Sequence, residues 1–363
     1  MKFIDLRAQR ERYGAEVDAR IQAVLSHGQY IQGPEVAELE TALARFTGVK
    51  HAIGVASGSA ALEIALQALQ IGPGDEVITV AFTFVSSAEA ILRVGARPVF
   101  VDIDPATFTI DVTRIERAVT PRTKAILPVS LFGQMPDFGV INAIAERHGL
   151  AVIEDGAQSF GASQRGRRSG SVALVGATSF FPTKPLGCYG DGGALFTDDD
   201  VLAARMRALR VHGAERSGEY SLLGMNGRLD TLQAAILLAK LPHFEGELEQ
   251  RRRVAARYSE ALRGRCVVPE VAEGNTHVFA QYTLRVRQRD PIVARLKERG
   301  IPTAVYYAKC LHEQPIFRGL AESGELPESE RAAREVMSLP MHAFLGEKEQ
   351  DNVTAAVASC VRD

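Results

Sequence analysis

A chain of 363 residues, 46% apolar and 24% charged, has the composition of an ordinary folded protein, and at roughly 150 residues per domain it is long enough for two. With 42 Lys and Arg against 44 Asp and Glu the formal charge is -2, so no overall field draws it to nucleic acid or an anionic membrane. Charge enters at once in Met1-Lys2-Phe3-Ile4-Asp5-Leu6-Arg7, too early for a secretory leader, and no apolar run approaches the roughly 18 residues of a membrane span, so a cytoplasmic protein is expected.

From about residue 35, helix and strand patterns alternate. Apolar spacing predicts an amphipathic helix over Glu38–Phe46, a strand over His51–Val55, and a helix over Ala60–Leu69 with Leu62, Ala65, Leu66 and Leu69 on one face. A Gly72-Pro73-Gly74-Asp75 turn leads into a strand over Glu76–Val80. Short apolar runs recur at Pro98–Val101, Ala125–Val129, Ala151–Ile153 and Ala194–Phe196, with a helix predicted over Phe138–His148. This alternation predicts an α/β fold, a mostly parallel sheet with helices on both faces. Beyond Pro242 the texture changes to a helix over Phe244–Leu262, a strand over Gln281–Val286, a helix over Pro291–Glu298 and a strand over Thr303–Tyr307. The expected division is a large α/β domain over 1–242 and a smaller α+β domain over 243–363. Arg251-Arg252-Arg253 is expected to be a solvated helix face. Cys188, Cys266, Cys310 and Cys360 lie far apart, with no Cys-x-x-Cys pair, so reduced thiols and no metal site are expected.

Three segments carry chemistry. Ala56-Ser57-Gly58-Ser59-Ala60 opens a helix after a strand, where free N–H groups and hydroxyls suit a phosphate, although the same residues are ordinary helix caps. It is neither a Walker loop nor a dinucleotide fingerprint. In Val152-Ile153-Glu154-Asp155-Gly156-Ala157-Gln158, two carboxylates end an apolar strand, at the sheet edge where α/β proteins bind ligands. One can face the crevice and pair with a protonated ring nitrogen, and Asp155 could equally cap the next helix. Lys184 follows the aromatic run Phe180-Phe181 and precedes Gly187, Gly190, Gly192 and Gly193, a setting that can bury an amine and lower its pKa as a Schiff-base lysine requires. Phosphate cradle, strand-end Asp and buried Lys together match the parts of pyridoxal 5'-phosphate (PLP), and Phe82-Thr83-Phe84 could cover its ring.

At these residues the sequence resembles the DegT/StrS-type nucleotide-sugar aminotransferases, members of the aspartate-aminotransferase (PLP fold type I) superfamily. The likeness runs through Gly28-Gln29-Tyr30-Ile31-Gln32-Gly33-Pro34, Gly72-Pro73-Gly74-Asp75-Glu76-Val77-Ile78, Val101-Asp102-Ile103-Asp104, Glu154–Ala162, Ser179–Gly193, Gly224–Ala235, Gln314-Pro315 and Ser338-Leu339-Pro340. It implies an aspartate-aminotransferase-like fold and a PLP-dependent transaminase that uses L-glutamate as amino donor and passes through pyridoxamine phosphate. It also implies residue roles. Lys184 is the catalytic Schiff-base lysine, Asp155 pairs with the pyridine nitrogen, Gln158 lies near the ring and Phe84 stacks on it. Gly58, Ser59 and Ser179 hold the phosphate, and Asn226 reaches the neighbouring subunit's phosphate, so that a homodimer shares its active sites. Tyr30, Arg228, Tyr307 and His312 are implied for the sugar nucleotide, Arg228 for a carboxylate because a guanidinium grips one bidentately.

The finer likeness, in His27–Ile31, Ser179–Gly193 and Tyr306-Tyr307 with His312, is to members acting on UDP-2-acetamido-2-deoxy-3-oxo-glucuronate for surface polysaccharide (lipopolysaccharide O-antigen) synthesis. A transaminase for another keto position or for a dTDP-linked ketodeoxysugar fits the same residues. A PLP-dependent sugar dehydratase would carry His where Lys184 stands, and a regulatory homologue has no need of Lys184, Asp155 and Gln158 together. A nicotinamide oxidoreductase lacks its glycine fingerprint here. The chain departs from the family pattern at Ser59 (often Thr), Ala60 (often Asp), Gly156 (usually Ala), and Ala308 and Cys310 (prolines).

Overall fold

The computed structural model describes residues 1–216 and 218–361. Among them, eight strands form the central sheet in the order His51–Val55, Gly193–Thr197, Val175–Ser179, Ala151–Asp155, Thr123–Ile126, Glu76–Val80, Arg97–Val101 and Glu322–Ser323. Gly193–Thr197 pairs antiparallel with both its neighbours, and every other pairing in the sheet is parallel. Helices cover both faces of the sheet, so the parallel strand Glu76–Val80 is buried along its whole length, as is the antiparallel Gly193–Thr197. Helix Pro34–Thr47 precedes the first strand, and Gly58–Ala68, Ser86–Arg93 and Phe138–His148 lie between the strands in sequence. Their ends follow local chemistry: Ser57 and Asp137 cap helix starts with side-chain oxygens, while Gly48 and Gly149 close helices in the left-handed conformation.

The parallel strands end on one edge. Val55, Val80, Asp155 and Ser179 each hand the chain to a loop there, which places Ser57 to Ser59, Thr83 to Ser87, Asp155 to Gln158 and the Lys184 loop side by side.

A 22-residue helix, Leu6–His27, precedes the alternating pattern and was not visible in it. Only Gly14, Val17 and Val24 of that helix are buried, too thin a stripe to give a 3.6-residue signal. Val17 packs on Ile236 and Ala239 of the helix Thr231–Lys240.

A second core gathers Val254, Tyr258, Leu262, Tyr282, Leu284, Leu296, Met337, Leu339 and Val357, under the two-stranded antiparallel sheet of Tyr282–Arg285 and Val336–Leu339. The helix Phe244–Leu262 enters both cores, since Phe244 and Leu248 belong to the first. Leu311, Phe317, Leu326 and Val336 also return to the first core, and Asp102 accepts the N–H groups of Glu328 (2.9 Å) and Ser329 (2.7 Å) at the start of helix Pro327–Glu335.

Two expectations need correction. Thr303–Tyr307 is not a strand: Ala304 alone exchanges hydrogen bonds with Ser338, at 3.1 and 2.7 Å, before the chain leaves the sheet and carries Tyr306 and Tyr307 to the pocket. Arg251 is not solvated, because helical spacing sets it on the buried stripe of Phe244, Leu248, Ala255 and Tyr258. Its guanidinium donates to the Phe279 carbonyl at 3.1 Å.

The segment 277–281 joins the small sheet to the wall of the pocket. His277 stacks on Phe279 with ring centroids 4.0 Å apart, and its Nδ1 accepts the Phe279 N–H at 2.8 Å. Burial pushes the imidazole down from 6.5 to about 3, so the fold keeps it neutral where the unfolded chain would take up a proton. Stability from this group is complete above 6.5 and is lost as the pH falls from there towards 3. His277→Asn keeps an acceptor but does not titrate. It should lower Tm at neutral pH, and the gap from wild type should narrow as the pH drops below 6.5. A gap that stays constant across that range in thermal denaturation would contradict this role.

Candidate active site

The strand ends enclose a cavity of about 510 Å3. At one end, Ser57 turns its hydroxyl onto the Ala60 N–H (3.1 Å), which starts the helix Gly58–Ala68 and leaves the N–H groups of Gly58 and Ser59 without intrahelical acceptors. Ser59 Oγ lies 2.7 Å from Ser86 Oγ, at the start of a second helix. Gly58 has no substitute there, since a Cβ would come within 2.8 Å of the Ser179 Cβ. Two helix starts and hydroxyls of Ser59, Ser86 and Ser179 thus face one spot, suited to a phosphate dianion.

Alternation along the strand Ala151–Asp155 separates its two carboxylates. Glu154 points into the scaffold and accepts from Ser130 (3.0 Å), Ser169 (2.7 Å) and the Gly170 N–H (2.6 Å). Asp155 points into the cavity, its Oδ2 accepting from Ser87 (2.7 Å) and its Oδ1 from the Ala157 N–H (3.1 Å). Burial pushes its carboxyl up, against the pull of those two donors and of Lys184. The departure to glycine at 156 has a local cause: a Cβ would sit 2.8 Å from the Ser169 hydroxyl that serves Glu154.

Lys184 hangs from a loop fixed on several sides. Its own N–H bonds the Phe181 carbonyl, and Cys188 N–H bonds that of Phe180, both at 2.8 Å. From the helix Thr231–Lys240, Gln233 Oε1 accepts the Tyr189 N–H at 2.9 Å, and the buried Lys240 donates to the Gly187 carbonyl at 2.6 Å. Cys188 is likewise structural, its thiol directed at the Phe180 and Gly190 carbonyls. Burial drives the Lys184 amine below the ordinary lysine pKa while Asp155 pulls it back up. The result is an amine that is more readily uncharged, and therefore nucleophilic, than a surface lysine.

Gln158 spans the floor, its Oε1 accepting the Phe132 N–H at 2.7 Å and its Nε2 donating to the Tyr307 hydroxyl at 3.2 Å. Phe84 and Tyr307 stand with ring centroids 6.2 Å apart at the mouth. Of the residues singled out in the sequence, Gly58, Ser59, Phe84, Asp155, Gln158, Ser179, Lys184 and Tyr307 line this one cavity. Tyr30, Asn226, Arg228 and His312 do not. Tyr30 and Asn226 are exposed, Arg228 pairs its backbone with Val55, and His312 faces Glu330 at 3.4 Å. Ile4 and Gln281 also line the cavity; they come from remote parts of the chain with nothing in their local sequence to mark them.

The donor set fits PLP: a glycine-cleared helix start for the phosphate, a buried carboxylate for a ring N–H, and an amine for an aldehyde. Fold and site together define an amine-transferring enzyme of fold type I architecture. The sequence model described as the DegT/DnrJ/EryC1/StrS aminotransferase family matches residues 11–358, and the chain belongs to that family. It is 51% identical over 360 residues to the UDP-2-acetamido-2-deoxy-3-oxo-D-glucuronate aminotransferase of Pseudomonas aeruginosa, covering 99% of this chain and all (100%) of the relative. A crystal structure of a DegT/DnrJ/EryC1/StrS aminotransferase from Brucella abortus superposes with a TM-score of 0.97 at 45% identity, covering 99% of each chain. The Bacillus subtilis protein NtdA, solved with bound cofactor PMP, superposes at 0.92 with 32% identity, covering 99% of this chain and 83% of that one.

Because Asp155 supports the charged form of Lys184, Asp155→Asn in the cofactor-free protein should lower the Lys184 pKa further. The pH dependence of reductive methylation at Lys184, followed by peptide mass, measures it. An unchanged or raised pKa would show that the two groups are not coupled.

Proposed function

We propose that this aminotransferase uses PLP to move an amino group from L-glutamate to the 3-keto carbon of UDP-2-acetamido-2-deoxy-3-oxo-glucuronate, acting in the cytoplasm as a homodimer. The observation that carries the substrate is the 51% identity, over the whole length, to the Pseudomonas aeruginosa enzyme. When bound, PLP supplies an aldehyde that condenses with amines and a protonated ring that withdraws electrons from the carbon being deprotonated.

The chain's own residues do the rest. Gly58, Ser59 and Ser179 hold the phosphate, the Asp155 carboxylate holds the proton of the ring nitrogen, and Phe84 covers a ring face. Lys184 Nζ takes the proton from the α-carbon of glutamate and, in the return half-reaction, delivers one to C3 of the sugar. Its lowered pKa favours the uncharged amine that the first of these transfers needs.

Charge balance supports the homodimer. Lys184 is the one cation among the residues lining the cavity, whereas the substrate brings a diphosphate and a carboxylate. Arg228 has a buried Nε without a partner among the described residues, and it lies outside this cavity with Asn226 and Tyr30. Exposed apolar side chains accompany them, including Ile31, Phe181, Tyr189 and Leu223, the kind of surface that a second subunit covers. A partner presenting Asn226 and Arg228 would supply the missing contacts, and Arg228 would grip the sugar carboxylate bidentately.

The PLP-loaded protein should be yellow, and L-glutamate should bleach the visible band; adding the UDP-3-ketosugar should then restore it with formation of the amino sugar. A band that glutamate leaves untouched would refute transamination from this donor. Lys184→Ala should cost at least about a hundredfold in turnover, the range of a lost proton-transferring group. Mixing inactive Lys184→Ala and Asn226→Ala variants should restore part of the activity, because heterodimers regain one intact site. No recovery on subunit exchange would argue against sites shared between subunits.

A further inference from the structure

We propose that Ser87 is a positioning residue that holds Asp155 ionised and aimed at the ring nitrogen of the cofactor. The inference rests on the assignment of Asp155 to that nitrogen and adds what keeps the carboxylate in the required state. Asp155 is 5% exposed, and a carboxyl taken out of water tends to keep its proton. Once protonated it would carry no charge to hold a pyridinium, and the proton of the pair would sit on oxygen instead of nitrogen. Something must oppose burial.

Two donors do so. The Ala157 N–H belongs to the backbone and is present whatever the side chain. Ser87 is the side-chain contribution, 1% exposed and 2.7 Å from Oδ2, the first of the forces that counter burial at Asp155. Such a contact to a carboxylate is of the strong, charge-assisted kind.

The surroundings fix its direction. A serine hydroxyl has a single proton, and Ser87 gives it to Asp155. Thr83, 2% exposed with its Oγ1 3.2 Å from Ser87 Oγ, must therefore donate to Ser87. The line Thr83, Ser87, Asp155 is a one-way chain whose members polarise one another. Each Asp155 oxygen accepts one protein hydrogen bond and retains a lone pair for the ring N–H. Ser87 is not among the residues lining the cavity, so it acts through Asp155 and not on the substrate.

The direct readout is the 15N shift of PLP labelled at its ring nitrogen and bound to the full-length protein, recorded for wild type, Ser87→Ala, Ser87→Thr and Asp155→Asn. Wild type and Ser87→Thr should show a protonated nitrogen. Ser87→Ala should move the signal towards neutral pyridine and slow the glutamate half-reaction roughly tenfold, the scale of one hydrogen bond to a charged group. Ser87→Cys, nearly isosteric with a weaker donor, should fall between and serves if the alanine variant is unstable. A fully protonated nitrogen in both Ser87→Ala and Ser87→Cys, with Asp155→Asn deprotonated, would overturn the role of Ser87 alone. A nitrogen that stays protonated in Asp155→Asn would overturn the Asp155 assignment beneath it.

Discussion

Two ionisable side chains, the buried Asp155 and the half-buried Lys184, face one cavity, and each draws the other back towards its charged form. Burial alone would push both towards their neutral forms and leave the strand end without a charged carboxylate. Their mutual field, with the donors around Asp155, sets a compromise in which the acid can remain charged and the amine is easily deprotonated. Much of the surrounding fold serves to keep these two groups at their stations.

On the acid side, the adjacent Glu154 is wired to Ser130, Ser169 and Gly170, so the strand end cannot rotate without leaving a buried carboxylate short of donors. Gly156 keeps that network free of a clash. The lysine side is held from the helix Thr231–Lys240, through Gln233 and Lys240. Lys240 is itself 2% exposed and pushed down to about 8 by burial, with Glu247 pulling the other way. An ammonium so desolvated is kept where it has a carbonyl to satisfy, and here that carbonyl belongs to Gly187 of the Lys184 loop. The same helix also bonds Tyr30 and Gly33 through Thr231, which links the loop to the surface where Arg228 and Asn226 lie.

What the sequence disclosed follows the range of the signals involved. The parallel sheet was legible because its strands are apolar runs framed by turn residues. The cavity residues from Ser57–Ser59, Asp155–Gln158 and Lys184 were legible because each sits at a strand end in a composition that only a close ligand or a cap explains. Ile4, Gln281 and the Thr83–Ser87 hydroxyls gain meaning only from neighbours far along the chain, and no local pattern marks them. Leu6–His27 was hidden by its thin apolar stripe. Arg251 departs from the expected solvated face because a run of three arginines on a helix cannot point one way, and the first falls on the core stripe. At Thr303–Tyr307 a β-like composition meets one bridging residue and then a turn towards the pocket, so local propensity loses to the demands of the site.

The most direct test of this account is to reduce the PLP-loaded protein with borohydride and map the modified peptide by mass spectrometry. The geometry predicts that the cofactor is found covalently on Lys184, with little on any other lysine. Label on a different lysine, or none despite bound cofactor, would contradict the claim that the Asp155–Lys184 pair defines the active site.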